Sequence, residues 1–261
     1  MSDFRAGRLA AMRAKISAIE AGGRGDSESL PFGAPAVDSR LPGAGLPLGR
    51  WHEFHGEGLE AETAAAPAAF AALTAAPLAA RGEAVWVARR DDLHAPGLAG
   101  LGFPSARLIQ VWARDEAEVL AVMEDALGAP GVSAVFGEAD AVDLVAGRRL
   151  QLACERRGAT GFLIRRRLFA APSLREAFGS TAATRWKVAP ALSEPASGEF
   201  GLGPPRWRAE LERCRGGRPG AWIFEETQAF EEMNHGTHPL RLVADLGDRQ
   251  LAPAQSLRLA G

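Results

Sequence analysis

The chain has 261 residues, of which 47% are hydrophobic and 24% charged, and a formal net charge of −2. That is ample material for a large domain with a buried core, and it excludes a chain disordered along its whole length. Two cysteines, Cys154 and Cys214, stand outside any C-x-x-C pair, which excludes a disulfide framework and a cysteine zinc site.

The small net charge hides an uneven distribution. Residues 148–218 carry 15 Lys and Arg against 6 Asp and Glu, while both flanks are acidic. Lys15 and Lys187 are the only lysines, so the surplus is arginine. Such a surplus serves either as solvated helix faces or as a surface for a polyanion. The Ala-rich stretch 64–80 is interrupted by Pro67 and Pro77, and the first residues mix charges among apolar positions. Neither a membrane span nor a secretory signal is expected, and the expected location is the cytoplasm.

In chain order, residues 5–20 read as an amphipathic helix with Leu9, Met12, Ile16 and Ile19 on one face. Those four residues are candidates for binding a partner, because a tethered apolar stripe needs a cover. A Gly-rich polar linker follows, and residues 1–31 form the expected arm. From Phe32 onward strands and helices alternate: strands at 50–55, 84–88, 106–113, 132–136 and 161–164, and helices at 63–80, 116–127 and 141–156. Short apolar strands alternating with helices predict a mostly parallel sheet covered on both sides, an α/β sandwich of three layers. Residues 169–183 read as a long loop, and 184–188 and 220–224 as late strands. The segment 227–261 is expected to be a tail, with a hairpin around Gly247 as one form.

The first strand runs into Gly56-Glu57-Gly58-Leu59-Glu60-Ala61-Glu62-Thr63. Laid on the phosphate-binding pattern G-x-x-x-x-G-K-[ST], it matches only at Gly56 and Thr63. Ala61 stands at the second glycine position and Glu62 at the lysine position. A working loop neutralises phosphates with backbone N–H groups and that lysine. Exchanging attraction for repulsion at 4 Å changes the Coulomb energy by several kcal/mol even at an effective dielectric near 20 (~4 kcal/mol for each sign). Tight triphosphate binding in the usual pose is therefore not expected.

The series Phe32-Gly33, Val37-Asp38, Leu41-Pro42, Gly45-Leu46-Pro47-Leu48-Gly49 and His52-Glu53 resembles the entry to the RecA-like core of the ImuA family. Thr184-Arg185-Trp186-Lys187-Val188 and the run from Arg206-Trp207 through Arg213-Cys214-Arg215-Gly216-Gly217-Arg218 to Trp222 are similar to that family's closing elements. The resemblance implies a RecA-like core over residues 32–226 and a role in SOS-induced translesion synthesis. The implied partners are ImuB, a Y-family polymerase relative, and an error-prone C-family polymerase. RecA itself is a further possible partner. Catalysis is not expected to survive: Arg90 stands nearest the position of the acidic general base, and Gly137 follows the strand that normally ends in a metal-binding Asp, with Glu138 and Asp140 close by. No catalytic residue, metal or cofactor is assigned.

A second expectation concerns DNA. Arg165, Arg166 and Arg167 end a predicted strand, where open parallel sheets meet ligands. Arg185, Lys187, Arg213, Arg215 and Arg218 follow, with Trp186, Trp207 and Trp222 among them. Cations for phosphates and aromatic faces for bases are the two elements of single-strand binding; core packing of each Trp is the alternative. The histidines lack metal-binding spacing, no G-x-S-x-G elbow exists, and Cys154 reads as a packing residue. Two other readings remain: a SulA-like cell-division inhibitor on an inactive RecA-like core, and an ATPase with an unorthodox site.

Overall fold

The computed structural model describes residues 28–57, 65–166, 180–195, 198, 200–227 and 238–247. The amphipathic segment with Leu9, Met12, Ile16 and Ile19, the positions Gly58, Ala61, Glu62 and Thr63, and Arg167 lie outside the described residues.

The strands are β1 (Ser29–Leu30), β2 (Leu46–Pro47), β3 (Trp51–Gly56), β4 (Glu83–Ala88), β5 (Leu108–Trp112), β6 (Val132–Ala139), β7 (Thr160–Arg165), β8 (Thr184–Ala191), β9 (Arg206–Cys214), β10 (Gly220–Glu226) and β11 (Leu240–Asp245). The helices are α1 (Pro35–Asp38), α2 (Ala65–Ala75), α3 (Ala95–Gly100), α4 (Glu116–Leu127) and α5 (Leu144–Arg157). Nine strands form one sheet in the order β11-β10-β9-β8-β3-β7-β6-β4-β5. The six from β5 to β8 are mutually parallel, and β9, β10 and β11 continue antiparallel.

Two apolar clusters hold the layers together. On one face α2 and the segment 30–48 cover an aromatic row that crosses the sheet. Trp86 stacks on Phe136 at 4.5 Å between ring centres, Phe136 on Phe162 at 5.0 Å, Phe162 on Phe54 at 6.1 Å and Phe54 on Trp186 at 6.5 Å. Trp86, Phe136 and Phe162 are register partners, as are Phe54 and Trp186, and the row steps by two residues between β7 and β3, so register and packing reinforce each other. On the other face α4 and α5 bury Trp51, Val87, Val135 and Leu163. Among the described residues this second cluster takes nothing from β8 to β11. That half of the sheet instead presents Arg185, Lys187, Arg208, Glu210, Glu212 and Arg241, in strands that alternate polar and apolar positions.

The motif residues at the start of the core have clear structural work. Asp38 accepts hydrogen bonds from the backbone N–H groups of Phe32 (2.8 Å) and Ala34 (3.0 Å), fixing the turn into α1. A Cβ at Gly45 would stand 2.6 Å from the Leu30 backbone, and Gly49 has φ +63°; the first glycine permits the β1–β2 approach and the second the turn into β3. His52 is fully buried, and its Nε2 lies 2.9 Å from the Pro47 carbonyl, which only a ring N–H can satisfy. Nδ1 then accepts from the Thr184 hydroxyl (2.8 Å), which itself accepts from Trp186 Nε1 (2.9 Å). Burial pushes the His52 pKa down to about 4, so the ring in this chain is neutral.

Strand β6 runs to Ala139, three residues beyond the predicted end, and so includes Glu138. Strand β9 is an addition to the expected strands: Trp207, Ala209 and Leu211 alternate with Arg208 and Glu210, and the apolar positions are buried. Strand β11, within the predicted tail, pairs with β10.

Candidate functional site at the carboxyl end of the sheet

The parallel register brings the ends of β3, β4, β6 and β7 to one edge, the place where open α/β sheets meet ligands. Gly56 ends β3 there, and Glu57 follows. A small cleft at this edge is lined by Arg89, Arg90, Glu138 and Arg166.

Glu138 sits in β6 with 6% of its side chain exposed. One carboxylate oxygen accepts from Trp86 Nε1 at 2.8 Å, and the other accepts from Arg166 Nη1 at 2.7 Å. Arg166 also grips Asp92 with both terminal nitrogens, at 2.8 and 2.7 Å. This guanidinium, itself 16% exposed, joins the ends of β4, β6 and β7. The Arg166 hydrogen bond is the main cause holding the Asp92 carboxyl below its ordinary pKa. Beside it, Arg89 pairs with Glu116 at 3.2 Å.

A second buried cluster lies one strand over. Glu53 of β3, 5% exposed at its side chain, accepts from Arg165 at 3.2 Å and from Arg185 at 3.1 and 3.2 Å. Arg165 also donates to the Asp140 carbonyl at 2.8 Å. Farther along, Glu57 pairs with Arg208 and lies 3.9 Å from Lys187, which pairs more closely with Glu210 at 3.0 Å. His55 meets Glu212 at 2.9 Å.

The candidate DNA-binding residues therefore divide into separate groups. Arg165 and Arg166 cap the carboxyl edge, Arg185 and Lys187 lie on the face of β8 that no described helix covers, and Arg213, Arg215 and Arg218 gather at the far end. Strand β9 runs opposite to β3, which places its closing turn beside Ala183 and Arg40: Arg215 N–H donates to Ala183 at 2.9 Å, Arg218 N–H to Arg40 at 2.8 Å, and the Arg213 side chain to the Ser180 carbonyl. The proposed stacking platforms need correction. Trp186, Trp207 and Trp222 are at most 5% exposed and belong to the aromatic core, where no base can reach them. Both cysteine thiols are pushed up to about 12, chiefly by burial, which leaves them protonated and unreactive at neutral pH.

Among the described residues, no group of three or more His, Cys, Asp or Glu side chains could hold a metal, and no helix is long and apolar enough to cross a membrane. Glu138 and the arginine run stand apart in the sequence, and Asp92 carries no signal of its own there. Their joining depends on strand order, which has no local signal. Glu53 was a missed clue: a carboxylate in the otherwise uncharged strand Trp51-His52-Glu53-Phe54 requires a buried cation.

No family model matches the chain. Protein ImuA from two strains of Caulobacter vibrioides is 55% identical to it over 248 residues, covering 93% of this chain and 100% of each relative. The chain belongs to the ImuA family. Among solved structures, the crystal structure of the RadB recombinase superposes with a TM-score of 0.52 over 79% of this chain and 97% of that one, at 16% identity. The fold is RecA-like. In this ImuA-family chain the carboxyl edge of the RecA-like sheet is thus closed by arginine–carboxylate pairs.

Proposed function

We propose that this chain is a non-catalytic, RecA-like accessory protein of SOS-induced translesion synthesis that acts as an adaptor for an ImuB-type polymerase subunit. The observation that carries the non-catalytic part is the occupation of Glu138. Its two oxygens are committed to Trp86 and Arg166, so the carboxylate best placed to hold a metal ion has a guanidinium in that role. With Glu62 in the lysine position of the loop, both counter-charges that a magnesium triphosphate requires are reversed or taken. Membership of the ImuA family supports the biological setting, and RecA is a further candidate partner.

Direct contact with single-stranded DNA is a lesser part of the proposal. To take a phosphate, Arg165, Arg166, Arg185 or Lys187 would have to give up a carboxylate already at hydrogen-bonding distance. Among the described residues, the face of β8 to β11 that carries Arg185 and Lys187 is therefore an internally compensated surface and a poor polyanion site.

Binding between the purified chain and an ImuB-type subunit tests the adaptor role. A stable complex at micromolar concentration is expected without nucleotide; the absence of a complex with and without DNA and nucleotide would defeat the reading.

A further inference from the structure

Helix α5 is fixed at both ends. Asp143 caps it by accepting from the Ala146 N–H at 2.7 Å, and Gly158 at φ +79° ends it. Leu150, Ala153 and Cys154 pack into the core. On the opposite side Leu144 is 56% exposed, Val145 70% and Leu152 40%. A lone exposed aliphatic residue is ordinary, but three on the outward side of one helix form a patch.

Arginines stand among these residues. Val145, Arg148, Leu152 and Arg156 recur at spacings of three and four, which sets them along one ridge of about 16 Å at ~1.5 Å per residue. The neighbouring charges are already matched: Arg149 pairs with Glu124 at 2.6 Å, and Glu155 with Arg50 at 2.7 Å. Arg148 and Arg156 are exposed and have no carboxylate partner among the described residues. The ridge thus alternates apolar and uncompensated cationic positions, whereas Arg185 and Lys187 on the sheet are held by Glu53 and Glu210.

That alternation selects the occupant. A helix lying on an anionic membrane keeps its apolar residues on one side and its cations on the other; here, burying Val145 and Leu152 in lipid would carry Arg148 and Arg156 in with them. The phosphates of a nucleic acid would engage the arginines and leave three aliphatic side chains without a partner. An amphipathic helix whose carboxylates are interleaved with its apolar residues satisfies both kinds of position together. Within this chain, the apolar stripe of residues 5–20 carries Arg5, Arg8, Arg13 and Lys15 against Glu20. Its charge opposes the ridge, which favours an occupant from another protein.

We infer that the outward face of α5 is a protein-docking ridge for an acidic amphipathic helix, with Val145 and Leu152 as its apolar contacts and Arg148 and Arg156 as the partners of its carboxylates. The inference deepens the adaptor reading and rests on it, since the helix is assigned to the ImuB-type subunit.

The test titrates that subunit with the full-length wild-type chain, with Val145→Gln/Leu152→Gln and with Arg148→Gln/Arg156→Gln. Glutamine is a good helix former and all four positions are exposed, so circular dichroism and melting temperature are expected to stay close to wild type. The apolar variant is expected to bind about tenfold more weakly. The arginine variant loses about as much at low salt and less at high salt. Hydrogen exchange of the wild-type chain, free and bound, needs no variant and is expected to slow at the amides of residues 144–157 on binding. Wild-type affinity in both variants, or no slowing over 144–157 in a complex that forms, overturns the inference and leaves the adaptor reading intact. A wild-type chain that fails to bind overturns both. If the arginine variant alone is weakened, and it also loses affinity for a single-stranded oligonucleotide or for anionic vesicles, the ridge is a polyanion surface and the inference is wrong. A wild-type dimer in sedimentation that both variants abolish would give the ridge to a second copy and overturn the assigned partner.

Discussion

Replacing Arg166 by Ala removes the guanidinium that ties β4, β6 and β7 together. Among the described residues, Glu138, with 6% of its side chain exposed, then keeps Trp86 as its hydrogen-bond partner and loses the guanidinium paired with its charge. Breaking a buried pair from one side costs about 3–5 kcal/mol. Arg166 is 16% exposed and the cleft admits solvent, which places this case near the lower end, about 3 kcal/mol. For a chain of this size that corresponds to a fall of about 6–12 °C in melting temperature. Urea denaturation of the two proteins at pH 7 gives the difference directly. The double variant Arg166→Met/Glu138→Gln removes both charges and is expected to recover most of the loss. The pH dependence has a definite sign. Asp92 is held below its ordinary pKa by Arg166, so its contribution is present above about pH 4 and is lost as the pH falls through the depressed value. The gap between wild type and Arg166→Ala therefore narrows in acid. A loss below about 1 kcal/mol at pH 7, the range of an exposed pair, would refute the claim that this guanidinium replaces a bound cation.

Two buried histidines predict a separate acid sensitivity. Burial lowers the pKa of His52 and of His238 to about 4 from 6.5; the folded state therefore binds fewer protons, and stability falls between pH 6.5 and about 4 by up to ~3 kcal/mol for each ring. Urea midpoints that stay constant from pH 7 to 4.5 would contradict this. For DNA, each phosphate neutralised contributes about 0.7 to the slope of log affinity against log salt on a single strand. Because Arg185 and Lys187 are held by Glu53 and Glu210, Arg185→Gln/Lys187→Gln is expected to leave that slope nearly unchanged. A reduction of about 1.4 would mean that both cations leave their carboxylates for phosphate.

The layer structure was legible because its signals are local. Helix α4 begins and ends at the predicted residues: Asp115 caps its first turn by accepting from Glu118 N–H at 2.8 Å, and Val119, Met123 and Leu127 recur on its buried face. The parallel strands were legible from short apolar runs between helices. Strand β9 carries a period-two alternation, Trp207, Ala209 and Leu211 between Arg and Glu, that is legible in the sequence, whereas its place in the sheet between β8 and β10 is not. The site was legible as a set of suspicious substitutions in the phosphate loop and at Arg90. The resulting ion pairs were not, because Asp92, Glu138 and Arg166 are far apart in sequence and meet only through the order β4-β6-β7.

The most direct test of the account is a titration of the purified chain with magnesium and ATP to millimolar concentration, with and without single-stranded DNA, with phosphate release followed in the same samples. With Glu62 at the lysine position of the phosphate-loop pattern and Arg166 seated on Glu138, neither saturable binding nor turnover is predicted. Stoichiometric ATP binding with DNA-stimulated phosphate release would contradict it.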